Sequence, residues 1–78
     1  MSDAAIGEQE FLDRVAGILE VPSVTPGTDF RAGPLWDSLT AFALRVMVRQ
    51  RCGRDLSAAD IAGCRTVADL MSAAGVAG

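Results

Sequence analysis

The serine of the tripeptide Asp37-Ser38-Leu39 stands where a loop rich in proline and glycine meets an apolar stretch with helical spacing. A hydroxyl at the start of a helix is well placed to carry a phosphodiester, because the unpaired N–H groups of the first turn and the positive end of the helix dipole favour an anion. The chain contains no histidine, so the commonest general base for a nucleophilic serine is missing. We therefore expect Ser38 to hold a group, and we do not expect an enzyme.

Size and charge limit the possible partners. The 78 residues are enough for a single domain, 1–78, in which we expect residues 1–5 and 76–78 to be frayed. Residues 1–37 hold seven acids and two arginines, whereas residues 38–78 hold three acids and five arginines, for a net charge of −3. An acidic total argues against nucleic acid as a partner. No apolar run approaches the roughly 20 residues of a membrane span, and the N-terminus lacks the features of a signal peptide, so we expect a cytoplasmic protein without membrane contact.

The two cysteines, Cys52 and Cys64, are too few and too widely spaced for the usual metal-ligand pair, and no histidine is present to add a ligand. We expect no metal site. The sequence instead favours two reduced cysteines that behave as small hydrophobic residues in the core, with a regulatory disulfide as the alternative.

The apolar residues recur at helical spacing in four segments, and no strand-like alternation persists, so the predicted fold class is all-α. The first helix is predicted from about Glu8 to Leu19 and is ended by Val21-Pro22. The second is predicted to begin at Ser38 and to end at Arg51 or Cys52. Asp37 is its expected N-cap and Gly53 its stop signal.

Two shorter helices are predicted after the second one. Each opens with a capping-box pattern, formed by Ser57 with Asp60 and by Thr66 with Asp69. The last helix is expected to end near Gly75.

The loop over residues 21–37 is long for so small a domain, which indicates that it is functional or held in place. Phe30 is the only large apolar residue in the middle of this loop. Burying its ring would fix the loop over the helices and contribute roughly 1.5–3 kcal/mol.

The second helix carries two apolar stripes, although packing against one core requires only one. At about 100° per residue, the stripes lie on opposite sides of the helix. The first consists of Ala41, Leu44, Met47, Val48 and Cys52, and the second, called here the apolar strip, consists of Leu39, Phe42 and Val46. Because the apolar strip begins beside Ser38, we expect it to be an exposed docking surface flanked by Arg45 and Arg49. The alternative is that Phe42 is buried under the loop beside Phe30.

The sequence around Ser38 resembles the attachment motif of the acyl and peptidyl carrier proteins. The tripeptide is preceded by Leu35-Trp36 and followed by residues 40–44, Thr-Ala-Phe-Ala-Leu, and the pattern of residues 55–70 also fits free-standing members. The resemblance covers nearly the whole chain. It implies a four-helix carrier-protein bundle with three longer helices, one short third helix and a long loop between the first two.

The same resemblance implies a phosphopantetheine arm on Ser38, transferred from coenzyme A by a phosphopantetheinyl transferase. Asp37 would assist recognition by the transferase, and Leu39 would contact the arm and its partners. Acyl or aminoacyl groups would be held as thioesters on the arm and exchanged with an acyltransferase, a ketosynthase or an adenylating enzyme. An arm that visits several enzymes suggests a monomer.

Two features depart from the pattern of many family members. Carrier proteins of fatty acid synthesis often place acidic residues along the second helix, where this chain has Arg45 and Arg49, so partners with acidic or apolar docking sites are implied. Trp36 follows Pro34 and Leu35, where many members have a Leu-Gly pair and a small residue. Trp36 is expected to stiffen the approach to the arm or to serve as a recognition handle.

These features favour a discrete carrier protein of a specialised, polyketide-type bacterial pathway. A peptidyl or aminoacyl carrier of a nonribosomal peptide pathway is the alternative within the same class. A helical interaction module that never receives a prosthetic group is the alternative from another class.

Overall fold

A computed structural model describes residues 7–33 and 36–76 of the protein. The helices in these ranges are α1 (Glu8–Leu19), α2 (Ser38–Cys52), α3 (Ala58–Ala62) and α4 (Val67–Ala74). The described residues include no strand, only an isolated bridge between Asp29 and Thr66. The all-α class, the four-helix order and the helix bounds are therefore confirmed. None of the helices described is long and apolar enough to cross a membrane.

The core lies between α1, α2 and α4, with α3 packed against α2. The inward face of each long helix has its apolar residues three or four positions apart, as one face of a helix requires. These buried residues are Phe11, Leu12, Val15 and Ala16 from α1, Leu44, Met47, Val48 and Cys52 from α2, and Val67, Leu70, Met71 and Ala74 from α4. The predicted inner stripe of α2 is confirmed, with Ala41 half-buried at its edge.

The loop between α1 and α2 is held against the core by Phe30, which is only 2% exposed, as predicted. The loop is also hydrogen-bonded to the start of α4, where the Val67 N–H donates to the Thr28 carbonyl at 2.9 Å and the Ala68 N–H to the Pro26 carbonyl at 2.8 Å. These bonds satisfy two of the N–H groups that a helix start leaves unpaired. The loop and α4 are thereby joined.

The two cysteines lie in the core and neither forms a disulfide. The Cys64 thiol donates to the Asp60 carbonyl at 3.3 Å. Burial, followed by the charges of Asp69 and Asp60, raises the pKa of the Cys64 thiol above its ordinary value. This thiol is therefore kept in its neutral form at neutral pH.

Both predicted capping boxes are present, at the starts of α3 and α4. The Ser57 hydroxyl accepts from the Asp60 N–H at 3.1 Å, and the Asp60 carboxylate accepts from the Ser57 N–H at 2.9 Å. The backbone N–H of Ser57 is the main reason that the pKa of Asp60 is lowered. At α4, the backbone N–H groups of Arg65 and then Thr66 lower the pKa of Asp69 in the same way.

Acid is expected to destabilise the fold through these two carboxylates. A carboxyl group whose pKa is lowered by folding contributes stability above its ordinary pKa, here 3.8, and loses that contribution as the pH falls through the lower folded-state pKa. The double variant Asp60→Asn and Asp69→Asn should therefore show a shallower fall of the melting temperature between about pH 5 and pH 2 than the wild type. Asp55→Asn, at an exposed loop residue outside both caps, is the matched control. An unchanged slope in the double variant would contradict the prediction.

Helices α1 and α4 end with the same hydrogen-bonding motif. In α4 the Gly75 N–H donates to the Ser72 carbonyl at 3.2 Å and the Val76 N–H to the Met71 carbonyl at 3.0 Å, with Gly75 at φ 78°. Fraying was predicted from residue 76, and in the structure Val76 is buried against the core. The motif explains it, because its second N–H directs the next side chain back onto the helix. Residues 1–5 and 77–78, the rest of that prediction, lie outside the described residues.

The corresponding left-handed position at the end of α1 is occupied by Glu20, at φ 60°. A side chain at this φ costs about 1 kcal/mol relative to glycine, because Cβ crowds the following carbonyl. Glu20→Gly is therefore expected to raise the free energy of unfolding by about 1 kcal/mol, measured by chemical denaturation. Gly75→Ala is the converse variant. It should destabilise the fold, because alanine would have to adopt the left-handed φ and its Cβ would lie 2.9 Å from the Arg54 guanidinium. A destabilised Glu20→Gly variant would show that Glu20 makes compensating contacts.

Candidate functional site

Ser38 is the first residue of α2, and its side chain is exposed. No hydrogen bond among the described residues engages its hydroxyl. The position gives this hydroxyl access to solvent at the N-terminal end of the helix. A phosphodiester on this oxygen would lie at the positive end of a 15-residue helix.

Asp37 is the N-cap of α2, so the Ser38 hydroxyl is not needed for capping. The Asp37 carboxylate accepts from the Thr40 N–H at 2.8 Å and from the Thr40 hydroxyl at 3.0 Å. The Thr40 N–H, and next the Thr40 hydroxyl, lower the pKa of Asp37 below its ordinary value of 3.8. The carboxylate is ionised at neutral pH and is fixed in place one residue before the serine. The predicted N-cap role of Asp37 is confirmed.

Trp36 connects the start of α2 to the buried part of the loop. Its ring meets the Phe30 ring edge to face, with the ring centroids 5.4 Å apart and the planes at 76°. The backbone N–H of Trp36 donates to the Gly33 carbonyl at 3.3 Å. The ring is half-buried against the core, which leaves part of it accessible two residues before Ser38. The preceding Pro34 and Leu35 lie outside the described residues.

The apolar strip on α2 is accessible to a partner. Leu39 is 77% exposed, Phe42 is 58% exposed and Val46 is half-buried. The alternative that Phe42 is buried beside Phe30 is wrong, because the Phe42 ring is largely exposed. The strip therefore runs along α2 from the turn that contains Ser38.

Two shallow grooves flank the strip and share Phe42 and Val46. The first, the interhelical groove, has a volume of about 520 Å³ and lies between α1 and α2. Its other lining residues are Arg14, Gly17, Ile18, Ala43, Met47, Gln50 and Arg51. The second, the arginine groove, has a volume of about 150 Å³ and is completed by Arg45, Arg49 and Asp55. Arginines therefore border the strip on both sides.

The two arginines predicted beside the strip differ in their surroundings. Arg49 is exposed. Arg45 is half-buried, and its Nε–H donates to the Leu56 carbonyl at 2.8 Å, so it ties α2 to the segment before α3. Its charge also contributes to the lowered pKa of Asp60. Arg45 thus has a structural contact that helix-face reasoning did not anticipate.

A third groove was not predicted from the sequence. This loop groove, of about 370 Å³, lies between the end of α1 and the loop that leads to α2. Its apolar lining comes from Leu19, Val21, Val24, Phe30 and Trp36. A sequence signal did exist, because Val21 and Val24 follow the end of α1 and have no place in its helical stripe.

The groups around Ser38 fit a phosphopantetheine arm. The hydroxyl is exposed, the cap is made by another side chain, and the helix end favours the phosphate. Among the described residues there is no cluster of metal-ligating side chains.

Comparison with known protein families agrees with this geometry. The family model described as the phosphopantetheine attachment site matches residues 9–74. No curated protein and no solved structure matches the chain. The family match runs from the first turn of α1 to the end of α4 and includes the loop between α1 and α2. The chain therefore belongs to the phosphopantetheine-attachment family, the acyl and peptidyl carrier proteins, whose members hold phosphopantetheine covalently on a serine.

Proposed function

We propose that Ser38 is the serine that carries the phosphopantetheine arm of this carrier protein. The observation that carries the proposal is an exposed, unengaged hydroxyl at the first position of α2. The matched region contains three other serines, and each is less suitable. The Ser57 hydroxyl is used in the cap of α3, Ser23 is in the loop away from any helix start, and Ser72 is near the end of α4, where the dipole disfavours an anion.

The residues around Ser38 would position the arm. Asp37 fixes the first turn of α2, so the backbone that presents the hydroxyl to a phosphopantetheinyl transferase is held in place. Leu39, exposed on the next position, offers an apolar contact to the arm and to the enzymes that receive it. When bound, the arm supplies a thiol that holds acyl groups as thioesters. The tether raises their effective concentration at a docked enzyme.

The positive charge of α2 is the basis for proposing the type of pathway. This helix carries Arg45, Arg49 and Arg51 and no acidic residue. Such a helix is a poor match for enzymes that dock carriers through basic patches, which favours a specialised, polyketide-type pathway with an acyltransferase and a ketosynthase as partners. A peptidyl carrier loaded by an adenylating enzyme is the second candidate, because a basic α2 suits it equally. In either pathway the carrier would act as a cytoplasmic monomer.

Intact mass measurement tests the assignment of the arm. The apo protein is incubated with coenzyme A, Mg²⁺ and a broad-specificity phosphopantetheinyl transferase, and fragmentation then locates the modified residue. One phosphopantetheine group on Ser38 is the expected result. A group on another serine would overturn the assignment. Loading assays with purified acyltransferases and adenylating enzymes would then separate the two pathways.

We further propose that the apolar strip is the docking surface for these enzymes. Leu39 and Phe42 are two of the three large hydrophobic residues that are exposed in the described part of the chain, and both lie within the first turns after Ser38. The arginine groove gives the surface a positive edge at Arg49. A partner would therefore combine an apolar pocket with acidic residues. Trp36 is the further contact proposed for the transferase, because part of its ring is accessible beside the same helix start.

Phe42→Ala is expected to weaken docking without unfolding the protein. Removing a ring that anchors an interface costs on the order of 1.4 kcal/mol of binding free energy, which corresponds to a tenfold loss of affinity. We therefore expect about a tenfold higher KM for the apo carrier in the transferase reaction, with kcat little changed. Arg65→Ala, at an exposed side chain outside the strip and the grooves that flank it, should leave KM unchanged. Equal KM values for wild type and Phe42→Ala would place the docking surface elsewhere.

A further inference from the structure

The interhelical groove is a shallow channel between α1 and α2, with a volume of about 520 Å³. On α2 its lining runs from Phe42 to Arg51, which spans about 13 Å at 1.5 Å per residue. A site for a small molecule encloses most of its ligand, whereas this channel lies open along its length. The groove therefore fits an elongated partner, and its length on α2 equals about two and a half helical turns.

The groove combines apolar residues with positive charge. Ile18 is half-buried and Met47 is buried, whereas Arg14 and Arg51 are exposed. No acidic residue of the described part of the chain lines the groove. Arg14 makes an exposed ion pair with Glu10 at 3.3 Å, and no hydrogen bond or ion pair within the described ranges engages Arg51. Two guanidinium groups are thus accessible to carboxylates of a partner.

Gly17, in the lining on α1, is a glycine that the fold itself does not require. It lies inside the helix Glu8–Leu19, where glycine is less favourable than alanine. Its φ is not in the left-handed region, and a Cβ built on it would meet no atom within 4 Å. The missing side chain leaves the α1 backbone open to the groove, where a second backbone can approach closely. Close approach by a partner gives this glycine a reason that internal packing does not.

A second copy of this chain is a poor occupant of the groove. Helices α1 and α4 carry acidic residues, but their apolar faces are buried in the core. Helix α2 exposes Leu39 and Phe42 but has no acidic residue, and the apolar Ile61 of the short α3 is buried. None of the described helices therefore offers apolar side chains and carboxylates together on an exposed face. The complementary occupant is a helix of a different protein.

We propose that the interhelical groove binds an acidic amphipathic helix of a partner protein. Its apolar residues would pack on Ile18 and Met47, with its backbone close to Gly17, and its carboxylates would pair with Arg14 and Arg51. Because Arg51 is in the last turn of α2, the acidic end of the bound helix would lie away from Ser38.

This site differs from the two functions proposed for the start of α2. Leu39 belongs to the apolar strip but does not line the interhelical groove, although Phe42 and Val46 border both surfaces. The groove also needs no prosthetic group, so the apo and holo forms should bind the helix equally. Failure of arm attachment at Ser38 would leave this binding unchanged.

Two phage-displayed peptide libraries test the charge and shape of the occupant. Both encode the same amphipathic pattern over about four helical turns, with Asp and Glu at the polar positions of one library and Lys and Arg in the other. Selection against the full chain should yield binders from the acidic library alone, and added salt should weaken their binding. In backbone amide NMR, the largest changes should fall at residues 14–18 and 42–51. Absence of acidic binders, or changes centred on another surface, would overturn the proposal.

Matched variants test the groove with the selected acidic peptides. Gly17→Leu should raise their Kd about tenfold by filling the channel, whereas Ala68→Leu, at an exposed position of α4, should not change it. Arg51→Glu should also raise the Kd about tenfold, and Arg65→Glu, at an exposed arginine outside the groove, is its control. A Kd unaltered by Gly17→Leu would overturn the proposal. Dimerisation of the wild type that Gly17→Leu removes, measured by sedimentation, would also overturn it by assigning the groove to a second copy.

The stability of Gly17→Ala tests whether the fold itself needs this glycine. Alanine is favoured in a helix, and its Cβ would meet no atom within 4 Å. The melting temperature should therefore rise by about 4–8 °C, as expected for a domain of this size. A lowered melting temperature would overturn the argument from Gly17, because it would show that the glycine serves the packing of α1.

Discussion

Ser38→Ala is expected to abolish phosphopantetheine attachment and to leave the fold intact. The substitution removes only an exposed hydroxyl that makes no hydrogen bond within the described residues. The cap of α2 depends on the Asp37 carboxylate and is unaffected. Alanine also has the highest helix propensity, so the first turn should form at least as well. Intact mass after incubation with coenzyme A and the transferase should show no adduct, and circular dichroism should show an unchanged melting curve.

Ser72→Ala is the matched control for this experiment. Ser72 is also an exposed serine in a helix, but it lies near the end of α4. This variant should be modified to the same extent as the wild type. Attachment to Ser38→Ala, at any residue, would contradict the assignment. Loss of attachment together with loss of the helical signal would instead indicate that Ser38 contributes to folding, contrary to its exposure.

The helix bounds were predictable because the signals that set them are local. The Asp37 carboxylate reaches the N–H of Thr40, three residues on, and Gly53 adopts a left-handed φ of 73° immediately after Cys52. A capping box likewise needs only residues three apart. Interactions of this range can be identified in a sequence before any tertiary contact is known.

The roles of Arg45 and Glu20 were not predictable, because no local sequence signal specifies them. The angular position of Arg45 on α2 places it beside the apolar strip, but its bond to Leu56 depends on how the chain returns after Gly53. At the end of α1, Val21-Pro22 predicts a stop without specifying which residue takes the left-handed position. The position is taken by Glu20, a residue type that rarely adopts this conformation.

The position of Ser38 and of its cap was predictable from the sequence, whereas the surfaces and grooves around them were not. Ser38 and its cap follow from sequence order, since they are adjacent in the chain. The exposure of Phe42 could be decided only once the position of the loop was known, because the alternative placed this ring beneath the loop. The loop groove likewise requires the end of α1, residues 28–33 and Trp36 to be brought together in space. Features of this kind depend on loop conformation, which periodicity does not encode.

Phe30→Ala is expected to destabilise the fold strongly. Phe30 is 2% exposed, and truncating a buried phenylalanine costs about 3–5 kcal/mol, because apolar contacts are lost and a cavity remains. At about 0.05–0.15 kcal/mol per residue, the whole 78-residue domain has a stability of only roughly 4–12 kcal/mol. The loop would also lose its main apolar contact, and Trp36 would lose its ring partner. Chemical denaturation followed by circular dichroism measures the loss.

Phe42→Ala supplies the matched control, because it makes the same chemical change at a ring that is 58% exposed. Its cost should be within about 0.5–1 kcal/mol, as expected for a surface substitution that leaves no enclosed cavity. The two variants thus distinguish the roles of the two phenylalanines on either side of Ser38. Phe30 holds the loop against the core, and Phe42 is proposed to contact partner enzymes. If the free energies of unfolding of the two variants were equal, the loop would not depend on Phe30, and neither the position of Trp36 nor the loop groove could be attributed to its burial.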